Sequence, residues 1–188
     1  MSKRPKVDQE ILSILSDYRL FIDSDKSIDM PFCVDEIDNN HPSSITGSSE
    51  LIAKVPLGST VLECEMRECS EYNYTFRILS DAIKTRMLFR LDEGDGTHWN
   101  RHLDVPVDQQ QVPTPHFHKV DDNGIMTAYK TASLEELSSP LNIRDGFTVF
   151  CEETHIKQEN PRIVIHVKDT LPLVFAPETD PLLDIQFP

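Results

Sequence analysis

Four of the chain's seven histidines fall within about twenty positions: His98, His102, His116 and His118. The last two stand in the run PTPHFHKV, just ahead of the turn sequence Asp121-Asp122-Asn123-Gly124. A strand entering a hairpin projects alternate side chains to one face, so both imidazoles share a side, roughly 6 to 7 Å apart at the backbone. Two imidazoles so placed can give two neighbouring ligands to a divalent cation such as Zn, Fe or Mn. His98, His102 or His155 can supply a third ligand, and Asp92 or Asp122 a carboxylate. The set His98, His116 and His118 with Asp92 would suit a metal-dependent hydrolase or nuclease.

Without a metal the same residues support acid–base chemistry. Asp92 can orient His116 or His118 while Arg90 holds an anionic group such as a phosphate. A separate reading is a sensor that binds a small anionic ligand through Arg90 and the histidines. A metal-free groove for a ligand or partner would draw on Arg90, Asp92, Trp99, Asn100, His116 and His118. A purely structural role is the other alternative: His116 bonds across the hairpin, His118 stacks on Trp99 or donates to Asp92, and His98 satisfies its own loop. No G-x-x-x-x-G-K-[ST], G-x-G-x-x-G or nucleophile-elbow sequence is present. That weighs against the common nucleotide-dependent enzymes, dehydrogenases and serine hydrolases.

The whole chain sets limits on these chemistries. Its 188 residues carry 32 acidic against 18 basic side chains, a net charge of -14. Such a surface repels phosphate backbones, so nucleic acid and anionic membranes are disfavoured unless a metal or a local basic strip reverses the field. A basic protein partner fits it better. Apolar runs end after a few residues, and the opening MSKRPKVDQE has no signal-like apolar stretch, so a cytoplasmic protein is expected. Cys33, Cys64, Cys69 and Cys151 show no C-x-x-C spacing and read as reduced, structural thiols. On one strand Cys64 and Cys69 would face opposite sides, which argues against a shared zinc there.

The elements that must position the histidines follow from periodicity. VDQEILSILSDYRLFI (7–22) carries a helical stripe, and 23–49, rich in Asp, Ser, Asn and Pro, reads as a long connection anchored at Met30-Pro31-Phe32. Period-two segments follow: LIAKV and TVLECEMRE as one hairpin around PLGS, then YNYTFRIL and TRMLFRLD. Residues 92–115 form a long excursion that returns into the hairpin HFHKV-DDNG-IMTAYK. SLEEL reads as a short helix capped by Ser133, 144–156 as a helix or a strand with its apolar spacing favouring helix, and RIVIHVK as a strand. The last stretch, 169–188, carries four prolines and two apolar islands, as a segment that wraps a core or a partner would.

MLFRLD, Gly96-Thr97-His98-Trp99-Asn100 and PTPHFHKV together resemble an uncharacterised family of small bacterial and phage-associated proteins. Its marks are an R-L-D, H-x-N and P-H-x-H series. The matching residues are Arg90, Leu91, Asp92, His98, Asn100, Pro115, His116 and His118, over the middle third of the chain. The resemblance implies a β-rich core with flanking helices and carries over no activity. His102 and the glutamine-bearing insertion before PTP depart from the series, so a shared groove would be shaped differently. Cupin-like barrels also use H-x-H, but the glutamate and second motif of that family are missing here.

These readings predict an α+β domain over 1–168: a mainly antiparallel sheet, with closure toward a barrel left open, an N-terminal helix and one or two further helices. A Pro-rich acidic and apolar tail occupies 169–188. The function expected first is a soluble accessory protein whose acidic surface and tail engage a protein partner, with no membrane role. A metal-dependent hydrolase or nuclease and a sensor of a small anionic ligand are the alternatives.

Overall fold

The period-two segments assemble into one seven-stranded antiparallel sheet. The computed structural model describes residues 7–166 apart from 38–40, 42, 86, 95, 138 and 158–160. Two short helices open the chain, α1 (Gln9–Ser13) and α2 (Leu15–Asp23). Five strands follow: β1 (Lys26–Ser27), β2 (Phe32–Val34), β3 (Glu36–Ile37), β4 (Ile45–Glu50) and β5 (Ile52–Ala53). Next come β6 (Thr60–Met66), β7 (Tyr74–Ser80), β8 (Met87–Glu93), β9 (Thr97–Trp99), β10 (Gln111–Pro113), β11 (His116–Val120) and β12 (Met126–Tyr129). Helices α3 (Ala132–Glu136) and α4 (Ile143–Glu153) precede β13 (Ile163–Ile165).

The main sheet runs β12-β11-β8-β7-β6-β4-β3. Its ends, β12 and β3, do not pair with each other, so the sheet is open and the barrel alternative is excluded. Alternation gives it two unlike faces. One carries Leu62, Cys64, Met66, Phe76, Ile78, Phe89, Leu91 and Phe117, all buried. Against it lie α4 and β2, through Phe76 on Phe147 and Phe150, and Phe32 stacked on Phe147 with centroids 5.5 Å apart. Gly146 of α4 is required there, because a Cβ would meet the Tyr74 hydroxyl at 1.9 Å. The other face is polar and carries Glu65, Thr75, Arg77, Arg90, Asp92, His116 and His118.

Several expectations need correcting. The partner of β6 is β4, not LIAKV, and Ile52–Ala53 pairs with β1 instead. β4 escaped the sequence reading because ITGSSE shows little alternation: Gly47 passes so close to β2 that a Cβ would stand 2.0 Å from the Cys33 carbonyl oxygen. Residues 23–49 therefore contain four strands rather than one loose connection. The N-terminal helix breaks at Ile14, whose N–H closes back on the Ile11 carbonyl. Thr131, extended and accepting from the Leu134 N–H, caps α3 in place of Ser133. The 92–115 excursion holds a short ladder, His98 opposite Val112 and Trp99 opposite Gln111. The segment read at 144–156 is a helix rather than a strand, over Ile143–Glu153, and RIVIHVK is a strand at 163–165, paired in parallel with β2 outside the main sheet. The tail, 169–188, lies outside the described residues.

Buried Cys64 and Cys151 behave as packing groups; burial pushes the Cys151 thiol up to about 12. Among the described residues no helix is long and apolar enough to cross a membrane.

Two buried polar groups tie the helices to this frame. The β8–β11 ladder ends at Lys119 opposite Phe89. The Tyr18 hydroxyl takes the next place, donating to the Leu88 carbonyl at 3.0 Å and accepting from the Val120 N–H at 2.9 Å. The Lys26 ammonium donates to the carbonyls of Ile22, Ser24 and Thr154 at 2.8, 2.9 and 3.0 Å, joining the ends of α2 and α4. Burial lowers its pKa to about 8, so it is still charged at neutral pH. Tyr18→Phe leaves a strand N–H and carbonyl without partners and should cost about 1–3 kcal/mol. Lys26→Met strands three carbonyls and should cost about 2–4 kcal/mol. Urea unfolding of each variant checks both; losses under about 0.5 kcal/mol would contradict these roles.

Candidate functional site

Asp92 is the centre of the polar face. In register it lies between Thr75 of β7 and His116 of β11, while Arg90 lies between Arg77 and His118. The Thr75 hydroxyl donates to Asp92 Oδ1 at 3.1 Å, and the Arg90 Nη2 group to Oδ2 at 2.7 Å. His118 Nε2 is 3.1 Å from the same Oδ2, and His116 Nε2 is 3.9 Å away.

These contacts fix a tautomer. His118 Nε2 is also 3.0 Å from Arg90 Nη2. A guanidinium only donates and a carboxylate only accepts, so one ring nitrogen cannot satisfy both. Arg90 Nη2 has a hydrogen for each neighbour, but an unprotonated Nε2 would set its lone pair against the Asp92 carboxylate 3.1 Å away, and a protonated Nε2 does not. The consistent arrangement is His118 Nε2–H donating to Asp92, which leaves the lone pair on Nδ1. That atom is buried without a hydrogen-bond partner, and so is His116 Nδ1.

The β9–β10 ladder brings His98 over this pair. Its ring centroid is 4.7 Å from that of His118 and 6.1 Å from that of His116; the last two are 4.6 Å apart. One nitrogen from each of the three lies within 4.8 Å of the others, a spacing from which they can converge on one cation. His118 is fully buried and His116 3 % exposed.

The charge states suit lone-pair chemistry. Burial first, then the His118 and Arg90 charges, push His98 down to about 4, against the opposing pull of Asp92. Burial and His118 push His116 down to about 4. Burial also lowers His118, although the Asp92 hydrogen bond works the other way. Burial would raise the Asp92 carboxyl, but His118 and Arg90 overcome it and hold Asp92 below the usual carboxylate range. At neutral pH the site is a carboxylate with three uncharged imidazoles.

The other candidates fall elsewhere. Asn100 is 3 % exposed, and its amide pairs with both backbone groups of Ala128 on β12, donating at 2.7 Å and accepting at 2.9 Å. It anchors the excursion to the sheet edge. His102 bonds the Thr127 hydroxyl at 2.8 Å near Asp121, a second clamp on the same strand. Trp99 is 37 % exposed, with the Arg101 guanidinium over its ring. His155 lies past the end of α4, and Asp122 pairs with Arg19.

Thr75, Arg77, Glu65 and Arg67 join the site unforeseen. Arg77 and Arg67 both pair with Glu65. Arg67, Thr75, Arg77, Arg90, Asp92 and Glu93 border a cleft of about 300 Å³ beside the histidines. The alternation of Thr75 and Arg77 was visible in YTFRIL, but their register against Asp92 was not. Among the described residues, the buried side-chain polar atoms that lack partners are Arg77 Nε, Arg90 Nε, Glu93 Oε2, His116 Nδ1 and His118 Nδ1. All belong to three adjacent strands. Four of them, on Arg77, Arg90, His116 and His118, lie on the polar face.

The lowered histidines set a pH dependence. Their pKa values are about 4 in the fold and about 6.5 in the unfolded chain, so the unfolded chain binds protons first as pH falls. The stability they contribute is complete above about 6.5 and is lost on descending toward 4. Melting of chelator-treated protein between those limits should fall more steeply with acid than that of a His98→Gln/His116→Gln variant. Parallel curves would contradict the assignment.

No family model, curated protein or solved structure matches this chain, so the chemistry is read from the site itself.

Proposed function

We propose that the protein is a hydrolase working through a divalent cation held by His98, His116 and His118. The observation that carries the reading is the convergence of three uncharged imidazoles, two with buried, unpartnered Nδ1 atoms. Nitrogen donors of this kind favour zinc, with iron or manganese as rivals. Three ligands leave a fourth position open, as hydrolytic zinc sites require. The cation would supply a Lewis acid and a bound water of lowered pKa.

The chain's own residues do the rest. Asp92 holds His118 in the tautomer whose free nitrogen faces away from the carboxylate, the carboxylate–histidine support usual behind metal ligands. Thr75 and Arg90 hold Asp92. The polar flank offers Arg90 and Arg77 to charge that develops on the substrate. In the reaction the water oxygen bonds to the electrophilic centre, the bond to the leaving group breaks, and the water's proton ends on the leaving group. The expectation of a protein partner leaned on the acidic surface and on the tail, which lies outside the described residues; the histidine cluster is what supports placing the hydrolase reading first.

Protein purified without a histidine tag and equilibrated with Zn²⁺ should hold close to one ion per chain by elemental analysis. His116→Ala/His118→Ala should hold none, and Asp92→Asn should bind roughly 10–100-fold more weakly. Equal metal in wild type and double variant would refute the centre. Metal bound without turnover of carboxylic or phosphoric esters would refute the hydrolase.

A further inference from the structure

Beside the histidines the sheet does something unfavourable. Arg77 and Arg90 are direct cross-strand partners, and like charges placed so repel. Each pairs with a carboxylate, Arg77 with Glu65 of β6 and Arg90 with Asp92 two residues along its own strand. Neither Nε has an acceptor. Both side chains are 30 % exposed, so their remaining donors are not sealed off. Arg67 stands at the rim of the same cleft, the Thr75 hydroxyl lies between the strands, and the cleft measures about 300 Å³. In a chain of net charge -14, three guanidiniums share one small hollow with the carboxylates of Asp92 and Glu93.

We infer that Arg77 and Arg90, with Thr75 and Arg67 at the rim, bind the phosphoryl group of a small phosphate monoester. Two facing guanidiniums match the two charges and several acceptor oxygens of a phosphoryl dianion, where one carboxylate would leave donors unused. The cleft is at the low end for small-molecule sites, roughly 300–1,000 Å³, which suits a compact ester rather than a polymer. The assignment takes its chemistry from the hydrolase reading, but the anion subsite does not itself need the cation. Hydrolysis there forms a bond from the water oxygen to phosphorus, breaks the phosphorus–oxygen ester bond, and returns the proton to the released alcohol.

Calorimetry with inorganic phosphate on metal-free protein tests the subsite, and zinc content is measured on a parallel Zn²⁺-equilibrated sample of wild type and every variant. Wild type should bind phosphate, and Arg77→Gln should bind at least tenfold more weakly at unchanged zinc content. Arg67→Gln, at the half-exposed rim, should weaken it several-fold and covers the case that Arg77→Gln does not fold. Phosphate that binds only zinc-loaded protein, or binds wild type and both variants alike, overturns the subsite. Arginine-dependent phosphate binding with no zinc in wild type upholds the subsite and sinks the hydrolase. In zinc-loaded protein, p-nitrophenyl phosphate should be preferred to bis(p-nitrophenyl) phosphate, with KM raised in Arg77→Gln; preference for the diester overturns the monoester assignment.

Discussion

The polar face of this sheet depends on one carboxylate. Asp92 takes hydrogen bonds from Thr75, Arg90 and His118, and so couples β7, β8 and β11 through a single side chain. A half-buried carboxylate is unfavourable unless its oxygens are matched. Here the matching groups are also those that define the site. By accepting from His118 Nε2, Asp92 decides which nitrogen of that ring is left with a lone pair. By pairing with Arg90, it lets two guanidiniums stand on neighbouring strands without driving them apart.

The division of the sheet into unlike faces makes that arrangement affordable. On one side the aromatic side chains of β7, β8 and β11 pack against α4 and β2, and this apolar layer fixes the register. On the other side the same register brings Thr75, Asp92 and His116 into one row and Arg77, Arg90 and His118 into the next. A slip of one residue would exchange the faces, burying the charges in the core. The precision of the polar site is therefore inherited from the apolar packing behind it.

His98 reaches the site by a different route. It belongs to the excursion between β8 and β11, which makes only a short ladder of its own. Asn100 and His102 hold that segment to β12 by side-chain bonds, Asn100 to the backbone of Ala128 and His102 to Thr127. The two clamps bracket the turn just after His98, so the third imidazole is positioned by residues that themselves do no chemistry. The strong acidity of the chain acts in the same sense as these local devices: it disfavours anions everywhere except where a cation or the paired arginines reverse the field.

The sequence by itself determined the alternating strands β6, β7, β8, β11 and β12, helix α4, and the placement of His116 and His118 on one side of a strand. Those features depend on local spacing, which a chain carries in its order of residues. It also named Asp92 and His98 as partners for that pair. It did not determine β4, whose small polar residues leave no period to read, nor the open edges of the sheet. The roles of Asn100 and His102 as clamps and the entry of Thr75, Arg77 and Arg67 into the site were decided by tertiary structure alone. Those outcomes rest on which strands lie side by side and in what register, and that choice is made by burying Phe76, Phe89, Phe117, Phe147 and Phe150 together, residues far apart in the chain.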